Sequence, residues 1–191
     1  MQADECSTGP AAFQTLSRMV GKGRVHEYWD AGEQNSVAVA SFVDVPQAGL
    51  TTFSTVTMHQ VPNDLEGNDI RVELLGATES GSDDFANVLA SAAFSIAKDD
   101  WLAAPGVVFP NLVKEYFPDT TTPHVMWTEP FVWEELSTVE VEGAGSVHWL
   151  MGLPLTDAEV DLLHDKGRDA LEDSLESADV AWFDLRRAST I

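Results

Sequence analysis

Three strand-like runs in the first half of the chain constrain the fold more than any other feature. They are SVAVASFVDV (36–45), LTTFSTVTMH (50–59) and DIRVELLGAT (69–78). The runs are rich in β-branched and aromatic residues, which favour strands, and Pro46 and Gly49 mark a short connection between the first two. Because short connections join antiparallel neighbours, the runs predict an antiparallel arrangement of successive strands.

Helical patterns lie before, between and after two groups of strands. The apolar residues of 11–20 and of 83–102 recur at helical spacing, and the stretch 155–176 has the same character. A second group of strands is predicted in HVMWTEPFVWEEL, STVEVEG and SVHWLMGLPL, before the last helix. This order predicts an α+β fold, in which a mixed, largely antiparallel sheet has helices packed on it as an α/β sandwich.

The chain is predicted to form a single domain over residues 11–191, since no Pro-, Gly- or Ser-rich linker divides it. The first ten residues, MQADECSTGP, are expected to be flexible, and they lack the basic and apolar regions of a secretory signal. No run reaches the roughly 18–20 apolar residues that a membrane span needs. Cys6 is the only cysteine, so no intramolecular disulfide can form, and the expected location is the cytoplasm.

The stretch LTDAEVDLLHDKGRDALEDSLE (155–176) holds Asp, Glu and His at close spacing, the residue types that bind metals and transfer protons. Thr156 followed by Glu159 predicts a capping box at its start, and Gly167 is interpreted as a mid-helix glycine beside a close neighbour. His164 lacks a second strong ligand on its face, and Arg168 at the next turn opposes a cation. The stretch is therefore interpreted as an amphipathic helix with a solvated acidic face.

No motif in the sequence indicates catalysis. The histidines are isolated, without an HExxH or HxH pattern, and neither a GxSxG nucleophile elbow nor a Gly-rich phosphate loop is present. We therefore expect no catalytic residues, no metal site and no cofactor, and a protein that is not an enzyme. A hydrolase whose acids and histidines meet only in the folded chain stays open as a less favoured alternative.

The formal net charge of −22, from 32 acidic and 10 basic residues, sets the expected partner. Such a chain is repelled by nucleic-acid phosphate and by anionic lipid, so neither a nucleic acid nor a membrane is expected as a partner. It attracts a basic protein and speeds the encounter. The same acidity can serve solubility alone, and the sequence leaves both interpretations open.

The run HVMWTEPFVWEEL interleaves aromatic and acidic residues. One interpretation places the aromatic side chains in the core, with solvated acids opposite them. The other makes an acidic rim around aromatic anchors, which would suit a basic protein surface. On the second interpretation the candidate partner-binding residues are Trp127, Glu129, Trp133, Glu134 and Glu135.

The C-terminal segment LTDAEVDLLHDKGRDALEDSLESADVAWFDLRRAST resembles the closing region of suppressor-of-fused-like domains in bacteria. That region begins with a threonine-led acidic helix, contains a glycine followed by a leucine, and ends in a short Asp–Arg–Ser pattern. The matching positions are Thr156, Glu159, Gly167, Leu171, Asp184, Arg187 and Ser189. Upstream, GLTTFSTVTMH and IRVELLG resemble early strands of the family at Thr55 and Glu73, so the resemblance covers the chain from about residue 25 to its end.

The resemblance implies an α/β sandwich without catalytic residues that acts by binding a protein. Animal members of the family sequester a transcription factor, and many bacterial members look like immunity proteins, which neutralise a toxin domain. The expected function is therefore toxin neutralisation, with a basic toxin domain as the partner because of the charge. The alternative is a regulatory scaffold that sequesters a peptide or a transcription factor. Arg187 is expected to pair with a carboxylate and so to fix the terminal segment.

Overall fold

The computed structural model describes residues 10–191, except the side chain of Glu134. The helices are α1 (Ala11–Val20), α2 (Asp84–Asp99), α3 (Asp157–Lys166) and α4 (Arg168–Ser177). The strands of the first half are β1 (Arg24–Trp29), β2 (Ser36–Val43), β3 (Leu50–Thr55), β4 (Asp64–Leu65), β5 (Asn68–Asp69) and β6 (Val72–Glu79). Those of the second half are β7 (Val108–Phe109), β8 (His124–Thr128), β9 (Thr138–Val141) and β10 (Gly145–Leu155). The start that was expected to be flexible covers residues 1–10. Positions 1–9, which include Cys6, lie outside the described residues, and Pro10 is the first residue described.

Within the described range, eight strands form one mixed sheet in the order β1-β2-β3-β6-β10-β8-β7, with β9 paired to the first part of β10. All of its pairs are antiparallel except β6 with β10, which run parallel with Leu74 beside Leu150. The predicted fold class, a mixed and largely antiparallel sheet with helices on it, is confirmed. Strand β10 is central because it pairs with β6 along one edge and with β9 and then β8 along the other.

Helix α2 covers one face of the sheet, over β2, β3 and β6. Its apolar stripe buries Phe85 and Leu89 in the same core cluster as Leu74 of β6. The Phe85 ring fits because Gly76 of β6 has no side chain: a Cβ at that position would lie 2.5 Å from Cε1 of Phe85. The packing of this helix on the sheet therefore depends on a glycine.

Helices α1 and α4 lie on the opposite face. Side chains alternate along a strand, so Trp149 and Leu153 of β10 point to this face together. Leu16 of α1 packs in the cluster that contains Trp149, and Leu171 and Leu175 of α4 pack in the cluster that contains Leu153. The last helix is thus fixed over the end of β10, next to β8.

The stretch 155–176 forms two helices, so the prediction of a mid-helix Gly167 beside a close neighbour is wrong. Helix α3 ends where the Gly167 N–H donates to the Leu163 carbonyl at 2.9 Å. Gly167 has a φ of 87°, which residues with a side chain rarely adopt, and no described atom outside residues 166–168 lies within 4 Å of where its Cβ would be. The glycine serves the turn itself. The predicted capping box of Thr156 and Glu159 is confirmed.

The sequence does not predict strand β1. Its residues are exposed except for two half-buried ones, so RVHEYW lacks the apolar–polar alternation of a strand with one buried face. Pairing with β2 forms this edge strand, with Arg24 opposite Ser41 and Trp29 opposite Ser36. The predicted run 50–59 ends early as a strand, because Met58–Gln60 forms a 3₁₀ turn.

Candidate partner-binding surface

Metal-ligating side chains do not gather at one place in the described part of the chain. Residues 10–191 contain no group of three His, Cys, Asp or Glu side chains placed to hold a metal ion. In the same range, every helix is too short or too polar to cross a bilayer. Most polar residues that carry the family resemblance lie instead in two hydrogen-bonded networks, each built around a buried glutamate.

The first network ties the C-terminal residues to the start of α3. Arg187 donates from Nη1 and Nη2 to the two carboxylate oxygens of Glu159, at 2.6 and 2.8 Å, and from Nη2 to the Pro154 carbonyl at 2.8 Å. Glu159 is fully buried and Arg187 is 6% exposed. The prediction that Arg187 pairs with a carboxylate and fixes the terminal segment is confirmed, and the carboxylate comes from α3 rather than from the nearby Asp184.

The other donors of this network also favour the charged form of Glu159. The backbone N–H groups of Thr156 and Thr190 donate to its carboxylate at 2.9 and 3.2 Å, and the hydroxyls of Ser189 and Thr156 lie 3.0 Å apart. Burial acts to raise the pKa of Glu159, but Arg187 and the N–H groups outweigh it and hold the pKa below its usual range. We call Thr156, Glu159, Arg187, Ser189 and Thr190 the C-terminal network.

The second network lies between β3 and β6. The buried Glu73 carboxylate accepts a hydrogen bond from the Thr55 hydroxyl at 2.5 Å and from the N–H groups of Met58 and His59 at 3.2 Å each. Nδ1 of His59 lies 2.5 Å from the same carboxylate. These contacts satisfy the carboxylate inside the fold, so this network, like the first, joins elements of the structure and leaves its buried carboxylate unavailable to a partner.

The fold separates the predicted partner-binding residues. Trp127 is fully buried in the core under α2, and Trp133 is 5% exposed in the core of the opposite face. Glu129 and Glu135 are exposed, and the side chain of Glu134 is not described. Neither indole ring is presented to solvent, so a partner would not contact the two tryptophans directly. They could affect binding only by supporting the residues above them. The part of these five residues in binding stays a prediction.

An aromatic groove opens beside Glu129. Phe131 is 44% exposed, and its ring stands edge-on to that of Trp182 with the centroids 5.1 Å apart. Leu153 of β10 and Leu175 of α4 also line the groove, which has a volume of about 300 Å³. We call it the Phe131–Trp182 groove. Phe131 belongs to the run in which the sequence indicates a binding site, but no local pattern connects it to Trp182.

Three glutamates and one arginine form the polar rim of the Phe131–Trp182 groove. Arg168 donates from Nη2 to Glu129 and from Nε to Glu172, each at 2.5 Å, and the bond to Glu129 is the main reason why the pKa of Arg168 is raised. Partial burial acts to raise the pKa of Glu129, but Arg168 outweighs it and lowers that pKa. Glu176 is exposed and has no ion-pair partner among residues 10–191. The rim is therefore anionic.

Comparison with known proteins identifies a matching family and a similar protein. The sequence model of the suppressor of fused protein (SUFU) family matches residues 33–188 of the chain. Immunity protein YqcF of Bacillus subtilis (strain 168) is 38% identical over 183 residues, which are 94% of this chain and 95% of that protein.

Solved structures show the same fold. A SUFU homologue from Neisseria gonorrhoeae FA 1090 superposes with a TM-score of 0.74 at 16% identity, over 95% of each chain. A chain of the Sufu–Fu complex superposes with a TM-score of 0.66 at 10% identity, over 92% of this chain and 88% of that one. At these identities the likeness concerns the fold alone.

Proposed function

Because the chain belongs to the suppressor of fused family, we propose that it is an immunity protein, which neutralises a toxin domain by direct binding and catalyses no reaction. The observation that carries the proposal is the 38% identity to Immunity protein YqcF, which extends over 94% of this chain. Identity over nearly the whole length of both chains supports a shared role. Residues 11–191 would act as a single binding domain in the cytoplasm.

The charge of the chain supports a basic toxin domain as the partner. With a net charge of −22, long-range attraction would raise the rate at which the chain meets a cationic protein. A toxin that cleaves nucleic acid needs a basic substrate-binding surface. An acidic inhibitor that covers such a surface would compete with the substrate for the same positive charges.

Three of the histidines lie in separate parts of the fold rather than together at one site, which supports a binding role. His124 Nε2 lies 2.9 Å from Asp157, and His148 Nδ1 lies 2.9 Å from Thr138. His59 belongs to the second buried network. Each of these histidines has its own partner on a different part of the fold, and within the described residues no two of them share one.

Co-expression tests the proposal. The toxin domain encoded by the neighbouring gene is expressed in a bacterial host, with or without the full chain. We expect the chain to restore growth and the two proteins to copurify. A neighbouring gene that encodes no toxin, or growth that stays arrested when the chain is fully expressed, would refute the immunity function.

Titration of the toxin separates binding from catalysis. An inhibitor that acts by binding is needed in at least equimolar amount, whereas an enzyme that modified the toxin would protect at a small fraction of that amount. The residual activity of the toxin should therefore fall linearly with added chain and reach its minimum near equimolarity. Complete protection by trace amounts would contradict a role without catalysis.

A further inference from the structure

We propose that the Phe131–Trp182 groove is the surface that holds the toxin domain, and that its occupant is a basic segment in which an arginine or lysine adjoins an apolar residue. The inference rests on the proposed function and deepens it, because it names the surface and the chemistry of the partner. An exposed phenylalanine ring beside a half-buried tryptophan, a small volume and an unpaired carboxylate support it.

The aromatic rings give the groove an apolar surface that a partner can reach. Phe131 is 44% exposed, although it is large and apolar, and its contact with Trp182 holds both rings in place. Aromatic side chains fixed at a surface are among those that contribute most to protein binding, since they bring a large contact area and lose little entropy. The groove therefore offers an anchor point in the free protein.

The volume of the groove limits what can enter it. At about 300 Å³ it lies at the lower limit of pockets that hold small molecules, which are roughly 300–1,000 Å³. It has room for one or two side chains of a partner. Arginine and lysine fit both parts of such a groove, since their methylene stems pack on aromatic rings while their charged ends stay at the polar rim.

Glu176 is the rim residue that we expect to take the cation. Glu129 and Glu172 already share the guanidinium of Arg168, so their charge is partly neutralised. Glu176, near the end of α4, is exposed and without an ion pair among the described residues. With three carboxylates and one guanidinium at the rim, a cation that enters the groove is attracted overall and meets Glu176 unpaired.

Two matched pairs of variants test the inference in the full chain. Phe131→Ala removes the exposed ring, and Trp101→Ala is its control, because Trp101 is 40% exposed and stands edge-on to a second aromatic ring at 4.6 Å. Glu176→Lys reverses a rim charge, and Asp161→Lys makes the same change at an exposed position of α3 outside the groove. Thermal melting by circular dichroism first establishes that all four variants fold.

The first measurement uses the toxin domain that the co-expression assay identifies. Isothermal titration calorimetry should show the Kd raised about 30-fold or more by Phe131→Ala and about tenfold by Glu176→Lys at low salt, with changes below about threefold for the controls. Unchanged binding by Phe131→Ala would overturn the inference. So would equal losses in Glu176→Lys and Asp161→Lys, since the attraction would then come from overall charge.

The second measurement does not depend on the immunity function. The full chain is titrated with a short synthetic peptide of alternating arginine and leucine, and with the same peptide carrying glutamine in place of arginine. We expect only the arginine peptide to bind, and to bind Phe131→Ala and Glu176→Lys more weakly than their controls. A peptide that binds all variants alike would overturn the groove as a site for basic segments.

The two measurements distinguish failure of the groove from failure of the proposed function. If the wild type neutralises the toxin and both groove variants bind it equally well, the immunity function stands and the toxin is held elsewhere. If the wild type neutralises no toxin, the immunity function fails and the toxin part of the inference fails with it. The peptide titration then decides alone whether the groove binds basic segments.

Discussion

Replacing Arg187 with alanine should lower the free energy of unfolding by about 3–4 kcal/mol and leave toxin binding almost unchanged. The change removes a guanidinium that donates to both oxygens of the buried Glu159 carboxylate and to the Pro154 carbonyl. Loss of one member of a buried ion pair costs about 3–5 kcal/mol, because the other charge stays buried without its partner. The lower half of that range applies here, since the N–H groups of Thr156 and Thr190 still donate to Glu159.

Thermal melting by circular dichroism measures the effect. In a chain of this size each kcal/mol shifts the Tm by about 2–4 °C, so the Tm of Arg187→Ala should fall by about 6–16 °C. Arg186→Ala is the matched control, because it removes the same charge from the adjacent, exposed residue and should shift the Tm by less than about 2 °C. A normal Tm combined with lost toxin binding would place Arg187 at the interface and refute the argument that the C-terminal network is structural.

The pH dependence of stability should reveal the contribution of the Glu159 carboxylate. Its pKa is lower in the folded chain than the value of about 4.3 expected in the unfolded chain. Its contribution is present above that pH and is lost as the pH falls through the folded pKa, so urea unfolding should show a smaller loss of stability for Glu159→Gln than for the wild type between about pH 5 and pH 3. Gly76→Ala should cost about 1–3 kcal/mol in the same assay, since the new Cβ would lie 2.5 Å from the Phe85 ring, whereas Gly32→Ala, with no described neighbour nearer than 3.7 Å, should cost little. The Kd of the toxin complex should rise with sodium chloride, mainly through slower association in stopped-flow measurements, and a Kd that does not change would contradict a charge-steered interface.

Most elements of the fold could be predicted because local sequence decides them. The runs that became β2, β3 and β6 carry β-branched and apolar residues that suit strands, and the stripe of α2 matches the apolar face of the sheet. Strand β1 was not predicted, because an edge strand with little burial does not need alternating apolar and polar residues. Its pairing with β2 is a property of the whole sheet.

The break at Gly167 shows where local reasoning fails. Both halves of 155–176 are compatible with a helix, so the pattern continues across the glycine, and only its φ of 87° separates α3 from α4. A mid-helix glycine and a helix-ending glycine look alike in such a sequence. The difference arises from how α4 packs on the end of β10.

Glu159 could be placed in a capping box but not in the interior. Its helix has an acidic, exposed face, and the interpretation of a solvated face holds for Asp161 and His164. Glu159 is buried because Arg187 returns from the end of the chain to neutralise it. The family resemblance names both residues, yet neither their spacing nor their type reveals that they touch.

The predicted binding role of the acidic and aromatic residues stays a prediction, but their placement can be compared with the sequence. An acidic rim around aromatic side chains exists beside Glu129, but its rings are those of the exposed Phe131 and the half-buried Trp182. Trp127 and Trp133 are buried in the cores on the two faces of the sheet, because they are large apolar residues at inward-facing positions. Which aromatic residues stay at the surface depends on contacts between distant segments.

Strand β10 also determines when the sheet can be completed during synthesis of the chain in the cell. The parallel pair of β6 and β10 joins Leu74 to Leu150, so the ribosome must finish the second half of the chain before the sheet can close. Until then β6 presents an apolar strand with one unpaired edge, which other nascent chains can join. Fragments that stop before Gly145 should therefore precipitate rather than accumulate as a folded first half, and the complete sheet can form only after the whole chain has left the ribosome.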